Sequence, residues 1–67
     1  MLSERIRKLR IKKGLSQEKL ARLADVSYNT IVKIESSQSK HPTIQTVAGI
    51  AKALDISLDE LVGKEEL

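Results

Sequence analysis

The stretch ADVSYNTIVKIE leaves only Asp25, Val26 and Ser27 between a helical run ending at Ala24 and another beginning at Tyr28. Helices joined by so few residues must cross at a steep angle, and their inner faces must be small where they meet. Ala21 and Ala24 meet that demand, and Val26 can plug the corner from the turn. Asp25 stands where the chain is expected to need a positive φ, which Asp tolerates better than most residues though less well than Gly.

The rest of the chain reads as helix too, with no strand-type alternation. A first segment is expected to start on Ser3 as N-cap and end before Gly14, with a stripe of Leu2, Ile6, Leu9, Arg10 and Lys13. Ser16 caps a second segment that buries Leu20, Ala21, Leu23 and Ala24, and Ser27 caps a third that buries Ile31 and Ile34. After the polar loop SSQSKHP, Thr43 caps a fourth, whose apolar arc is Ile44, Val47, Ile50, Ala51 and Leu54. On this projection Gly49 points to solvent, where it costs about 1 kcal/mol against alanine; a neutral sequence accident is the simpler reading, and close approach of a neighbour the other. Ser57-Leu58-Asp59-Glu60 is a capping box opening a fifth segment, and the tail from Gly63 to Leu67 is expected to fray. The expectation is one all-α domain over residues 1–67: a compact five-helix bundle with a helix-turn-helix over about 17–36.

Sixty-seven residues make a marginal core without good packing or a partner subunit. With no cysteine and one histidine, there is no disulfide framework, thiolate metal site or nucleophile–base pair. No carboxylate pair, glycine-rich phosphate loop or metal cluster points to an enzyme or a small-molecule substrate. No signal peptide or membrane span is evident, Met1 fits a natural start, and the expectation is a cytoplasmic, cofactor-free protein. Charge is uneven: residues 1–41 hold ten Lys/Arg against four Asp/Glu, whereas residues 42–67 hold two against five. A basic first half fits a polyanionic partner, and equally fits a solvated basic helix face.

With Ile31 and Ile34 inward, a step of 100° per residue turns Asn29 and Lys33 almost directly outward. Tyr28, Thr30 and Val32 flank them, and Ser27 sits at the tip. Asn can bond an adenine edge twice, Lys can reach guanine acceptors or phosphate, and Val or a Thr methyl can touch a thymine methyl. A helix spent only on solubility more often shows Glu, Lys and Ala on such a face.

Residues 3–62 resemble the phage-repressor and Cro-type (XRE-like) helix-turn-helix family, which shares the lambda-repressor-like fold. The resemblance rests on LSQEKLARLADVSYNTIVKIE, a polar loop, PT, a fourth helix and LDISLDELV. It implies that Gln17 bonds a backbone phosphate at a helix amino end, where the dipole also favours an anion. It implies that Ser27, Tyr28, Asn29 and Lys33 face a major groove with Thr30 close by, and that Lys40 and His41 lie along the backbone. The chain departs from the family pattern at Asp25, where glycine is usual, and at Ser36-Ser37-Gln38, where Asn-Gly or Gly-Lys is frequent.

Several features keep a plainer alternative. His41 can be an ordinary exposed loop histidine, and Tyr28 can pack against its own domain. Arg5, Arg7, Lys8, Lys12 and Lys13 can simply solubilise the first helix. Arg10 and Glu35, opposite charges on two core-facing stripes, are expected to form a partly buried structural ion pair. Leu58, Leu61 and Val62 exceed what a terminal helix needs; some close the core, and the remainder suit a two-fold contact. The functional expectation is a sequence-specific DNA-binding transcriptional regulator, a repressor, homodimeric on a pseudo-palindromic operator and cytoplasmic at the nucleoid. The alternative is an antitoxin or protein-interaction module gripping a partner protein with the same fold.

Overall fold

Four of the five helices in the computed structural model start on a hydroxyl that accepts a backbone N–H three residues on. Ser16 accepts from Lys19, Ser27 from Thr30, Thr43 from Thr46 and Ser57 from Glu60. Each such bond satisfies one of the orphan donors of a helix start and is worth about 1 kcal/mol. Residues 2–38 and 42–63 are described. They form α1 (Leu2–Lys12), α2 (Gln17–Ala24), α3 (Tyr28–Glu35), α4 (Ile44–Ala53) and α5 (Leu58–Val62), with no strand among the described residues. Helix α5 carries the full capping box, with Glu60 returning a bond to the Ser57 N–H.

Three corners share one construction. At the α2–α3 turn, Val26 N donates to Ala21 O at 3.0 Å and Asp25 N to Arg22 O at 3.2 Å, and Asp25 is left-handed at φ 58. At the end of α1 the equivalent bonds run from Leu15 to Arg10 and from Gly14 to Ile11; after α4 they run from Ile56 to Ala51 and from Asp55 to Lys52. Paired bonds around one left-handed residue absorb the last carbonyls of each helix. In all three cases the next residue is apolar and packs against the core (Leu15, Val26, Ile56), and the one after it is the serine that caps the following helix.

Helix α2 packs on both α3 and α4, while α1 closes against α3 and α5 and α4 meets α5. The core they enclose is sealed by Ile6, Leu20, Ile31, Ile34, Ile50, Leu54 and Leu61. Burial of each such aliphatic side chain stabilises the fold by about 1.5–3 kcal/mol. Among the described residues no helix is long and apolar enough to cross a membrane.

Several expectations are corrected. Ser3 lies inside α1 rather than capping it, and its hydroxyl bonds Ser37 Oγ at 2.9 Å. Leu23 and Ile44 are not core residues: they are 50% and 67% exposed, because α2 and α4 each turn them away from the neighbours they pack on. Lys13 falls past the end of α1 and is exposed. Leu61 is fully buried, so it belongs to the monomer core and has no surface left for a second subunit. Of the tail expected to fray, Gly63 caps α5, its N–H donating to the Asp59 carbonyl at 2.8 Å, and residues 64–67 lie outside the described residues.

Gly49 is the most informative correction. It does not face solvent: a Cβ built there would stand 2.8 Å from the Ala24 carbonyl oxygen, which is backbone and cannot swing aside. The α2–α4 approach thus depends on a missing methyl group, at the end of the same helix whose last turn feeds the short corner. Gly49→Ala is expected to destabilise the fold by about 1–3 kcal/mol in urea unfolding, the cost of overpacking, although alanine's helix propensity alone would stabilise it by about 1 kcal/mol. A more stable variant would show that α2 and α4 do not meet this closely.

Candidate nucleic-acid interface

Helix α3 is divided between two environments. Ile31 and Ile34 are buried, whereas Tyr28, Asn29 and Lys33 are exposed, Tyr28 to 51%. None of those three side chains bonds another described residue. Side chains on a rigid helix without internal partners are free to meet an external one. Thr30 and Val32 are half-buried on the flanks. Ser27, exposed at the tip, spends part of its hydroxyl on the cap and shares a 2.8 Å bond with Thr30 Oγ1. The steep corner sets this face apart from α2, since Ala21 and Ala24 let the two helices meet without bulk.

The orientation of α3 is locked from its far end. Glu35 accepts from Arg10 Nε at 2.7 Å, from Arg10 Nη2 at 3.1 Å and from Gln17 Nε2 at 3.1 Å. The side chains of Arg10 and Glu35 are only 13% and 4% exposed. Arg10 Nη1 further donates to the Leu15 carbonyl at 2.7 Å, which pins the α1–α2 corner to the same cluster. Both charges are therefore paired and hydrogen-bonded, the condition under which a buried pair is tolerated.

Gln17 stands at the first position of α2, half-buried, with its amide turned toward Glu35. One Nε2 proton suffices for that bond; the amide's second proton and its oxygen remain for another partner. The structure thus brings Ser27, Tyr28, Asn29, Thr30 and Lys33 onto one helix and its cap, and ties Gln17 to that helix through Glu35. Lys40 and His41 lie outside the described residues. Arg5 has a role that the sequence reading did not single out. Its Nη1 donates to the carbonyls of Leu61 at 3.2 Å and Val62 at 2.6 Å, closing the carboxyl end of α5. An arginine in a run of cations gives no local signal that it caps a helix 56 residues away.

The helix-turn-helix family model matches residues 6–61. The chain is 37% identical to the HTH-type transcriptional activator BcrR of Enterococcus faecalis over 97% of its own length and 31% of that protein. It is 35% identical to the cryptic phage CTXphi transcriptional repressor RstR of Vibrio cholerae, over 98% of the chain and 59% of the relative. The chain thus spans from about a third to three fifths of these two relatives. Among solved structures, SinR in complex with DNA superimposes with a TM-score of 0.89 at 32% identity, covering 94% of this chain and all of that one. A SinR–SinI protein complex gives 0.90 at 31% identity, covering 97% of this chain and 63% of that one.

The cluster at Glu35 makes a stability prediction. Arg10→Met alone should cost about 3–5 kcal/mol by denaturant unfolding, because it leaves a buried carboxylate short of its cation. Arg10→Met with Glu35→Leu should recover most of that loss, since replacing both partners by apolar groups is often near neutral. Equal losses from the single and double variants would mean that packing, not the charge, is what matters there.

Proposed function

The chain belongs to the phage-repressor and Cro-type helix-turn-helix family, and from that premise we propose that it is a sequence-specific DNA-binding transcriptional regulator whose α3 enters the major groove. One observation carries the reading: α3 holds Tyr28, Asn29 and Lys33 exposed with no side-chain bond to another described residue, while its isoleucines are buried. A polar face of this kind fits base edges, with Asn29 suited to adenine and Lys33 to guanine acceptors or a neighbouring phosphate. Gln17, at the start of α2, fits a backbone phosphate through the amide proton that Glu35 does not use. Ser27 and Thr30 line the tip of the same face, and Lys40 and His41 are proposed to extend it along the backbone.

In this reading two copies bind a pseudo-palindromic operator in half-sites about one helical turn apart. With Leu61 committed to the core, the half-buried Leu58 and Val62 remain as the proposed two-fold contact. Repression is the proposed outcome: a domain that occupies its operator blocks other proteins from the same DNA. Its place is the cytoplasm, at the nucleoid. A second reading has support from the superposition on SinR held in a complex with SinI: the domain, as an antitoxin or adaptor, also grips a partner protein.

Selecting duplexes from a random pool and titrating salt on the winner tests the proposal. An inverted repeat with a steep salt slope is expected. Asn29→Ala and Lys33→Ala should each relax one or two base positions at a cost of about 1–3 kcal/mol, and Gln17→Ala should weaken binding to every sequence alike. Unchanged discrimination in Asn29→Ala would refute this assignment of the α3 face.

A further inference from the structure

Ser27 Oγ and Thr30 Oγ1 lie 2.8 Å apart at the start of α3, and either oxygen can be the donor. Ser27 Oγ also accepts the Thr30 N–H at 3.1 Å. Neither hydroxyl bonds any further described residue. A hydroxyl has one proton and two lone pairs, and its proton rotates to suit the surroundings.

Two proton arrangements thus share one set of heavy-atom positions. When Ser27 donates to Thr30, its proton and one lone pair are used, and it shows a free lone pair outward. When Thr30 donates to Ser27, both Ser27 lone pairs are used, and its own proton points outward. The exposed tip of α3 can therefore present an acceptor or a donor without moving an atom heavier than hydrogen. Asn29, one step further on, has a carbonyl and an amino group in fixed relation and no such freedom.

We propose that the Ser27–Thr30 hydroxyl pair makes one position of the DNA half-site degenerate, beside positions that Asn29 and Lys33 read strictly. The inference rests on the proposed DNA reading and says which part of the α3 face does not discriminate. In the major groove cytosine and adenine offer amino donors, and guanine and thymine offer carbonyl acceptors. A side chain that switches between acceptor and donor satisfies both sets.

Fixing the polarity of residue 27 tests this, and two substitutions do so while keeping a strong helix cap. Ser27→Asp presents acceptors only. Ser27→Asn caps with its oxygen and presents an amino donor. Both variants and the unaltered chain are carried through duplex selection from the same random pool, with helicity checked by circular dichroism. The unaltered chain is expected to leave one position near indifferent next to specified ones. Ser27→Asp should enrich cytosine or adenine there, and Ser27→Asn should deplete cytosine, which offers a donor alone, each by about fivefold or more. Ser27→Asn adds no charge, so it remains informative if the aspartate is repelled by phosphate. The inference is overturned if both variants recover the unaltered motif, or if no specified motif has an indifferent position. If the unaltered chain recovers no motif at all, the DNA reading itself is what fails.

Discussion

Three helices are fastened at the carboxylate of Glu35. It takes two bonds from Arg10 on α1 and one from Gln17 on α2, while itself closing α3. Arg10 adds a bond to the Leu15 carbonyl, so the α1–α2 corner belongs to the same knot. With Ile31 and Ile34, about one turn apart on α3, both buried, α3 has a single rotation available. The outward face of α3 follows from that rotation. A polar knot in a chain of 67 residues stabilises less than its bond count suggests, because both charges give up water; its effect is to fix geometry.

The corners supply the second constraint. Gly14-Leu15-Ser16, Asp25-Val26-Ser27 and Asp55-Ile56-Ser57 each pass from a left-handed residue to an apolar plug to a helix cap. Three residues end one helix, anchor the turn on the core and start the next, which leaves few ways to arrange short helices of five to eleven residues. At these three corners the left-handed residue is twice an aspartate, at φ 58 in both cases, which its short polar side chain tolerates. The chain thus gets by without the glycine that is usual at Asp25.

Much of this was legible in the residues alone. Serines and a threonine placed ahead of apolar periodicity marked four helix starts, and the three-residue spacing after Ala24 marked the corner, down to the positive φ of Asp25. The Arg10–Glu35 pair followed from opposite charges on inward stripes. What escaped were properties of neighbours rather than of one helix. Gly49 projects outward from α4 considered alone, yet α4 is flanked on a second side by α2. Leu23 and Ile44 look like core by type, but apolar residues are not obliged to be inside. Leu61 resembled a spare apolar residue, yet of the apolar side chains on α5 it is the one fully buried. For the α3 face, the sequence located Asn29 and Lys33 outward, while the mutual bond of Ser27 and Thr30 needed three-dimensional placement of both hydroxyls.

The central claim is spatial: the outer side of α3, rather than the α1–α5 end of the bundle, meets the double helix. An amide-resolved NMR titration of the isotopically labelled chain with a bound duplex addresses this directly. The account predicts that the strongest shifts cluster at Ser27, Tyr28, Asn29 and Lys33, with a second group around Gln17 at the start of α2. Shifts concentrated on α5 and the opposing side of α1, with α3 silent, would contradict it.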